Sequence, residues 1–437
     1  MSWKSYLLGD ILKRKKSIEK ILPEKEYKLV TIKLYHKGVC LRRVAKGSEI
    51  GSTMSSIKEG DFVLSGIDAR NGAFGIVPKE LDGAIVTNDF WCLELDEEIL
   101  GREFFLYLTS TDFFDHICKQ SSDGTTQRIR LQKDKFLNFR ISIPSISEQS
   151  EILERLKNCG SKNSSISSEL NHQLDLVKQL RQSFLREAMQ GKLVKQDSKD
   201  GNASDLLKEI KIEKAKLGKK EKPLSPIKND EIPFEIPENW VWCRLGEICN
   251  LITSGSRDWA KYYSKSGAIF VRMGNLSKDN FSLRMDKIQR VAPSSNSEGS
   301  RTKLEENDIL ISITGEVGNL GLIPKNFGEA YINQHTALVR LNKILPTIFF
   351  CYCFLTDFLK IQFNAPKRGM KNSFRLTDIQ YLTIPLPPLS EQHRIVKKLE
   401  ELMKYCDELE KNIQQSKSEN EKLLQQVLRE ALSGEIK

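Results

Sequence analysis

Histidine is scarce in this sequence: five in 437 residues, at His36, His116, His172, His335 and His393, too far apart in the chain to offer metal-ligand spacing. Other signatures of chemistry are missing as well. There is no G-x-x-x-x-G-K-[ST] phosphate loop, no strand-borne G-x-G-x-x-G and no H-E-x-x-H. The tetrapeptides Asn-Pro-Pro-aromatic and Asp-Pro-Pro-aromatic are absent, which removes the active-site loop of amino-methylating DNA methyltransferases. No run of 18 apolar residues could cross a membrane, and Met1 to Lys4 does not begin an export signal, so a cytoplasmic protein is expected. The nine cysteines are odd in number and scattered, which argues against a disulfide framework. Cys351 and Cys353 stand on an apolar stretch and read as core thiols. From these absences no catalysis is expected of the chain alone, and binding is the expectation that remains.

What the sequence has is a segment written twice. Residues 143–194 and 386–437 share a pattern at one offset, from Pro144-Ser145-Ile146-Ser147-Glu148-Gln149 and Pro387-Pro388-Leu389-Ser390-Glu391-Gln392 through to Leu185-Arg186-Glu187-Ala188 and Leu428-Arg429-Glu430-Ala431. A duplicated unit must be identified before anything else is read. In the first copy, Ser147 is expected to cap a long helix, with Gly191 at its far end. Its apolar positions are Ile152, Leu156, Cys159, Ile166, Leu170, Val177, Leu180, Phe184 and Ala188. The second copy gives Ile395, Leu399, Leu402, Cys406, Leu409, Ile413, Leu423, Val427 and Ala431. A stripe this narrow needs a helix partner, and the other copy is the matching one. The two are expected to pack antiparallel over about 44 residues, or roughly 65 Å. Aligned midpoints would set Asn163 opposite Asn420 and fix the register.

The blocks before these helices also match. Trp3 to Ile11 resembles Trp240 to Ile248, and Asp61-Phe62-Val63-Leu64-Ser65 resembles Asp308-Ile309-Leu310-Ile311-Ser312. Phe62 to Leu64 and Ala84 to Val86 read as buried strands. Phe104, Phe105, Leu108, Phe113 and Ile117 read as an amphipathic helix broken near residues 109–111. The expected class is therefore α+β: two globular mixed α/β domains in tandem pseudo-repeat, separated by two long antiparallel helices forming a coiled coil. The boundaries are 1–146 for the first block, 147–194 for the central helix and 195–235 for a Lys-rich connector. The second block follows at 236–389 and the last helix at 390–437. Within the connector a short helix is expected from Ala203, the rest being solvated.

Charge sharpens the division. The net +10 of the chain splits into +3 for residues 1–146 and +6 for 236–389, while the helical copies are nearly neutral. Basic surface on the blocks suits a phosphate backbone. Loop residues that could meet DNA are Arg70 and Asn71, then Arg128, Arg130 and Lys133 in the first block. In the second they are Ser256, Arg257, Lys261 and Tyr262, then Lys367, Arg368, Lys371, Asn372 and Arg375. Arg and Asn make bidentate contacts to guanine and adenine, whereas Lys and Ser hold phosphates. Arg130 and Arg375 match between blocks, which suits a scaffold role as well as a DNA contact.

The block-plus-helix duplication, the Pro-x-x-Ser-Glu-Gln helix starts and the Leu-Arg-Glu-Ala-x-x-Gly ends resemble the specificity subunit of type I restriction-modification systems. The stretch Asp68 to Gly75, with Thr253 to Arg257 and Asn333-Gln334-His335, resembles that family's target recognition domains. The resemblance implies that each domain reads one half of a bipartite, asymmetric double-stranded DNA site while the helices set the gap. It further implies two modification subunits that bind S-adenosylmethionine, and restriction subunits driven by ATP with magnesium, as partners. A coiled-coil scaffold or adaptor with basic protein-binding domains is the alternative.

Overall fold

The computed structural model describes residues 3–51, 53–124, 129–216, 223–293, 302–364 and 374–433. The chain divides into two compact units, residues 1–172 with 414–437 and residues 173–413.

In the first unit, strand Lys4–Leu7 pairs antiparallel with Arg140–Ile143, bringing the two ends of the block together. A four-stranded antiparallel sheet has the order Leu12–Lys15, Phe90–Leu95, Phe62–Ser65, Phe74–Ile76. A five-stranded sheet runs Ile18–Glu19, Met54–Ser56, Ile85–Thr87, Glu26–Ile32, Val39–Lys46, and Glu26–Ile32 lies parallel to Ile85–Thr87. Helices Arg102–Thr109 and Asp112–Gln120 close one side, and Phe62, Phe74, Phe105, Phe114 and Phe136 pack on one another at centroid distances of 4.7 to 6.2 Å. The break between these helices falls where the sequence places it. Phe114 is the buried ring, however, and Phe113 is 47% exposed. The break restarts the helical phase at Asp112, so the inward position moves by one residue.

The second unit repeats this plan. Val241–Arg244 pairs with Thr383–Leu386, and an antiparallel sheet runs Cys249–Ser254, Thr336–Leu341, Ile309–Ser312, Leu320–Leu322. A further sheet holds Tyr263–Ser264, Gln289–Val291, Ala268–Val271 and Ala330–Ile332, the last two strands parallel. The apolar run from Phe349 to Phe354 is buried on helix Thr347–Phe354, with Cys351 and Cys353 inside it. Burial pushes both thiols far above their ordinary range. The connector is more ordered than its composition implies. Its helix runs Ala203–Lys216, and Ala203, Leu206 and Ile210 are buried in the core of this unit. Three apolar residues at helical spacing override the surrounding lysines.

The two long helices span Ile146–Met189 and Leu389–Ser433. Ser145, not Ser147, caps the first. Its N–H and Oγ both donate to Glu148 Oε2, at 2.9 and 2.7 Å, while Glu148 N–H points back to Ser145 Oγ at 3.4 Å. This reciprocal box satisfies the first turn and holds the Glu148 carboxyl below its ordinary range. Gly191 ends the helix at φ 68°, where an added Cβ would meet the Pro237 ring at 2.4 Å.

The helices run antiparallel in both units. In the first, Leu156 packs with Leu428 and Ala431, with Ile152 and Val427 beside them. In the second, Arg181 bonds Asp407 at 2.7 Å and Glu410 at 3.1 Å, while Leu185 and Leu399 share the core with Phe184 at its edge. Val177 is buried, and Leu170, Leu180, Leu402, Leu409 and Ile413 are half-buried. Two expected seam residues lie outside: Ile166 is 48% and Leu423 59% exposed. Ser167 and Leu424 take the inward positions, because the polar layer around Asn420 draws Ser167 Oγ to within 3.1 Å of its Nδ2.

Candidate nucleic-acid interface

The first unit presents its basic loop at the end of the Phe62–Ser65 strand. Ser65 Oγ accepts from Asp68 N–H at 3.1 Å, a single 3-10 turn covers Ala69–Asn71, and Gly72 closes it at φ 71°. Any Cβ on Gly72 would lie 2.9 Å from the His36 ring, so glycine is needed for both torsion and space. Arg70 is half-buried and Asn71 exposed.

Against this loop rests a turn that the sequence reading passed over. Tyr35 N–H donates to Asn71 O at 2.9 Å, and His36 N–H to Gly72 O at 3.0 Å. His36 Nε2 lies 2.9 Å from Asp115 Oδ1. The adjoining segments are tied in too. Leu131 N–H donates to Gly66 O, and Gly66 N–H to Asp89 O, both at 2.8 Å. Arg130 Nη1 is 2.8 Å from Asp89 Oδ1, which gives this arginine a partner on its own scaffold. Lys133 is exposed at the start of helix Lys133–Leu137. Lys135 binds Asp123 at 2.7 Å, and that hydrogen bond holds the Asp123 carboxyl below its usual range. Arg128 lies outside the described residues.

In the second unit, Ser256 bridges to Asn333, and Gly255 passes so close to that strand that an added Cβ would sit 2.0 Å from Ile332 O. Arg257 is exposed, followed by Asp258 at φ 62° and a 3-10 turn Trp259–Tyr262. Trp259 is buried against Phe270 at 4.9 Å and Tyr331 at 5.2 Å, which anchors the turn. Lys261 Nζ sits 5.0 Å over the Tyr262 ring, and Tyr262 packs on Trp259 at 5.8 Å. Tyr262 thus serves the anchor, and Arg257 and Lys261 are the exposed cations. His335 is oriented by Thr314 Oγ1 at 2.8 Å from Nδ1 and Gln334 Nε2 at 2.9 Å from Nε2. Arg375 caps helix Leu376–Gln380 with its N–H on Asp378 Oδ2 at 2.9 Å and its side chain exposed. Lys367, Arg368, Lys371 and Asn372 lie outside the described residues.

Each unit therefore offers hydrogen-bonded loops carrying cations and amides on a shared scaffold. Comparison with known proteins gives this pattern its family. Residues 2–176 and 237–416 match the type I restriction modification DNA specificity domain. The chain belongs to that family.

Among relatives, the type I restriction enzyme EcoAI specificity subunit of Escherichia coli is 34% identical over 261 residues, covering 55% of this chain and 42% of the relative. The EcoEI specificity subunit of Escherichia coli is 29% identical over 250 residues, and again 42% of its length is spanned. The chain thus spans less than half the length of these two relatives. The EcoBI specificity subunit of Escherichia coli aligns further, 23% identical over 411 residues, covering 91% of this chain and 79% of the relative. In fold, the chain is similar to the HsdS subunit from Thermoanaerobacter tengcongensis, with a TM-score of 0.55 at 19% identity, covering 100% of this chain and 97% of the other. A chain from a structural study of type I R-M complex assembly and conformational transition gives a TM-score of 0.63 at 20% identity, covering 100% and 98%.

The family's duplicated domain accounts for what the two units share. The sequence reading missed Tyr35 and His36, whose signal was only a basic turn closed by Gly38. Arg272, Arg284 and Lys287, which line one cavity with Asn333 and His335, belong to a stretch whose length differs between the repeats and so carry no repeat signal.

Proposed function

We propose that this chain is the sequence-specific double-stranded DNA-binding specificity subunit of a type I restriction-modification complex. Each domain reads one half of a bipartite, asymmetric site, and the helix pair sets the unread gap. The observation that carries this reading is one scaffold present twice, with the same strand order in its antiparallel sheet and different residues on the loops at its edge. Such a duplication suits two different half-sites. Family membership favours it over a coiled-coil scaffold or adaptor.

The chain contributes recognition and no chemistry. Two modification subunits supply S-adenosylmethionine and methylate adenine, and restriction subunits add ATP- and magnesium-dependent translocation and cleavage. All act with DNA in the cytoplasm, and none of the described helices is long and apolar enough to cross a membrane.

Selection of bound duplexes from a random pool, by the complex of this chain with its modification subunit, tests the proposal. Enrichment of one two-part sequence is expected, with affinity falling steeply as salt rises because bound Lys and Arg release counterions. Sequence-indifferent retention of the pool contradicts it.

A further inference from the structure

One connection occupies the same place in both domains. In the first unit it joins Glu26–Ile32, the strand parallel to Ile85–Thr87, to its antiparallel neighbour Val39–Lys46. In the second it joins Ala268–Val271, the strand parallel to Ala330–Ile332, to its antiparallel neighbour Gln289–Val291. The first connection is residues 33–38 and the second is the much longer 272–288. Both rest on the loop between the last two strands of the neighbouring antiparallel sheet. Gly72 of that loop faces His36, and Gly315 of the equivalent loop faces Met273, where an added Cβ would lie 3.4 Å from the Met273 methyl. The placement is common to both units while the length and sequence of the connection differ.

In the first unit the connection is strained. Tyr35 and His36 are consecutive non-glycine residues in the left-handed region, at φ 59° and 57°. Such torsions are unfavourable for residues that carry a Cβ and persist only where the surroundings impose them. Here the imposing contacts are the two backbone bonds to Asn71 and Gly72 and the His36–Asp115 pair. Their result is that the Tyr35 side chain stands 74% exposed, beside the loop that carries Arg70 and Asn71. Lys33 and Lys37 flank it, both exposed. An exposed aromatic between cations suits a base face beside phosphates.

In the second unit the connection is braced from within. Asn275 is buried, accepts from Arg272 N–H at 3.0 Å, and donates to Arg284 O at 2.9 Å and Lys287 O at 3.4 Å. It thereby arranges Arg272, Arg284 and Lys287 around a cavity of about 510 Å³ whose far wall is Asn333 and His335. Among the described residues, Asp286 is the single acid on this rim. The cavity adjoins Ser256 through the Ser256–Asn333 bridge, so the basic rim continues toward Arg257.

We propose that this connection is the base-reading element of each domain: Tyr35, beside Arg70 and Asn71, reads the first half-site, and Arg272 and Lys287, facing His335, read the second. The inference rests on the proposed DNA-reading function and assigns it to residues.

The test uses the complex with modification subunits and duplexes carrying the site selected by the wild type, intact or substituted in one half. Tyr35→Ala should lower discrimination at one half-site by about tenfold and leave the other unchanged, with Tyr35→Phe restoring it. Arg272→Ala and Lys287→Ala should do the reverse. Tyr35 is largely in water, so its replacement is expected to leave thermal unfolding unaltered. A discriminating wild type whose variants discriminate equally well would overturn this inference alone, as would a loss equal on every duplex, the mark of phosphate contacts. A wild type that binds all duplexes alike would overturn the proposed function, and this assignment with it.

Discussion

Asn163 and Asn420 meet across the helix pair of the first unit, each side-chain amide donating to the other's backbone carbonyl, at 3.0 Å from Asn163 and 3.4 Å from Asn420. Amides in a largely apolar seam, here with Ser167 beside them, favour one register over its neighbours at some loss of stability. Replacing both by Leu should raise the denaturation midpoint, by about 1 kcal/mol in stability. It should also blur the gap between half-sites in modified DNA. A lower midpoint would mean that the pair stabilises more than it specifies.

The repeated glutamines at the helix starts are not equivalent in strength. Gln149 accepts from Gly101 N–H at 2.8 Å and donates to Ile99 O and Pro144 O at 2.9 and 3.0 Å. Gln392 donates to Pro387 O at 2.8 Å, but its Oε1 is buried without a partner. The reason is covalent. The residue preceding helix Arg102–Thr109 is Gly101, and the one preceding its counterpart Thr347–Phe354 is Pro346, which has no N–H. Gln149→Leu should therefore destabilise the full chain by about 1 to 3 kcal/mol, and Gln392→Leu by clearly less. Urea unfolding of the two variants checks the order.

Acid should loosen the connector of the second unit. Asp200 binds Arg394 through two bonds of 2.7 and 2.6 Å, and these hold its carboxyl below the ordinary aspartate range. A depressed carboxyl contributes stability that is present above the unfolded-chain value and lost as pH falls through the folded one. Asp200→Asn is expected to cost about 1 kcal/mol at pH 7, allowing for solvent at Arg394. The difference from wild type should hold above about pH 4 and shrink as pH falls below it, through the lowered folded-state value. A difference constant across pH would contradict the assignment to this ion pair.

Arg70 stands on the anchored turn after strand Phe62–Ser65 and Arg257 follows strand Cys249–Ser254, at different places in the repeated sheet. Replacing either by Ala should weaken binding to the cognate site by about 1 to 3 kcal/mol and relax one half only, measured by titration of singly substituted duplexes. A loss uniform over all sequences would identify a phosphate contact.

Much of this architecture is legible in the residues because it repeats. The offset between copies, the apolar spacing and the paired asparagines are periodic signals, and periodicity survives without knowledge of tertiary contacts. Where contacts decide, the sequence misleads by one or two positions. Ser145 caps in place of Ser147 because the extended run ends at Pro144, and Ser167 replaces Ile166 because Asn420 needs a polar neighbour. The loops are the least legible. Tyr35 owes its exposure to backbone bonds from a loop more than thirty residues away, and the cations at 272 and 287 converge only through the buried Asn275.

Mapping modified adenines in DNA of cells expressing the chain with its modification partner tests whether the helices set the spacing between two half-sites. The wild type should give one bipartite, asymmetric motif with a fixed gap. A variant carrying one extra heptad at matched positions in both helices keeps the seam in phase and adds about 10 Å, or about three base pairs, to the spacer. It should modify the same two half-sites at a longer gap. An unchanged gap, or half-sites altered along with it, would contradict the account.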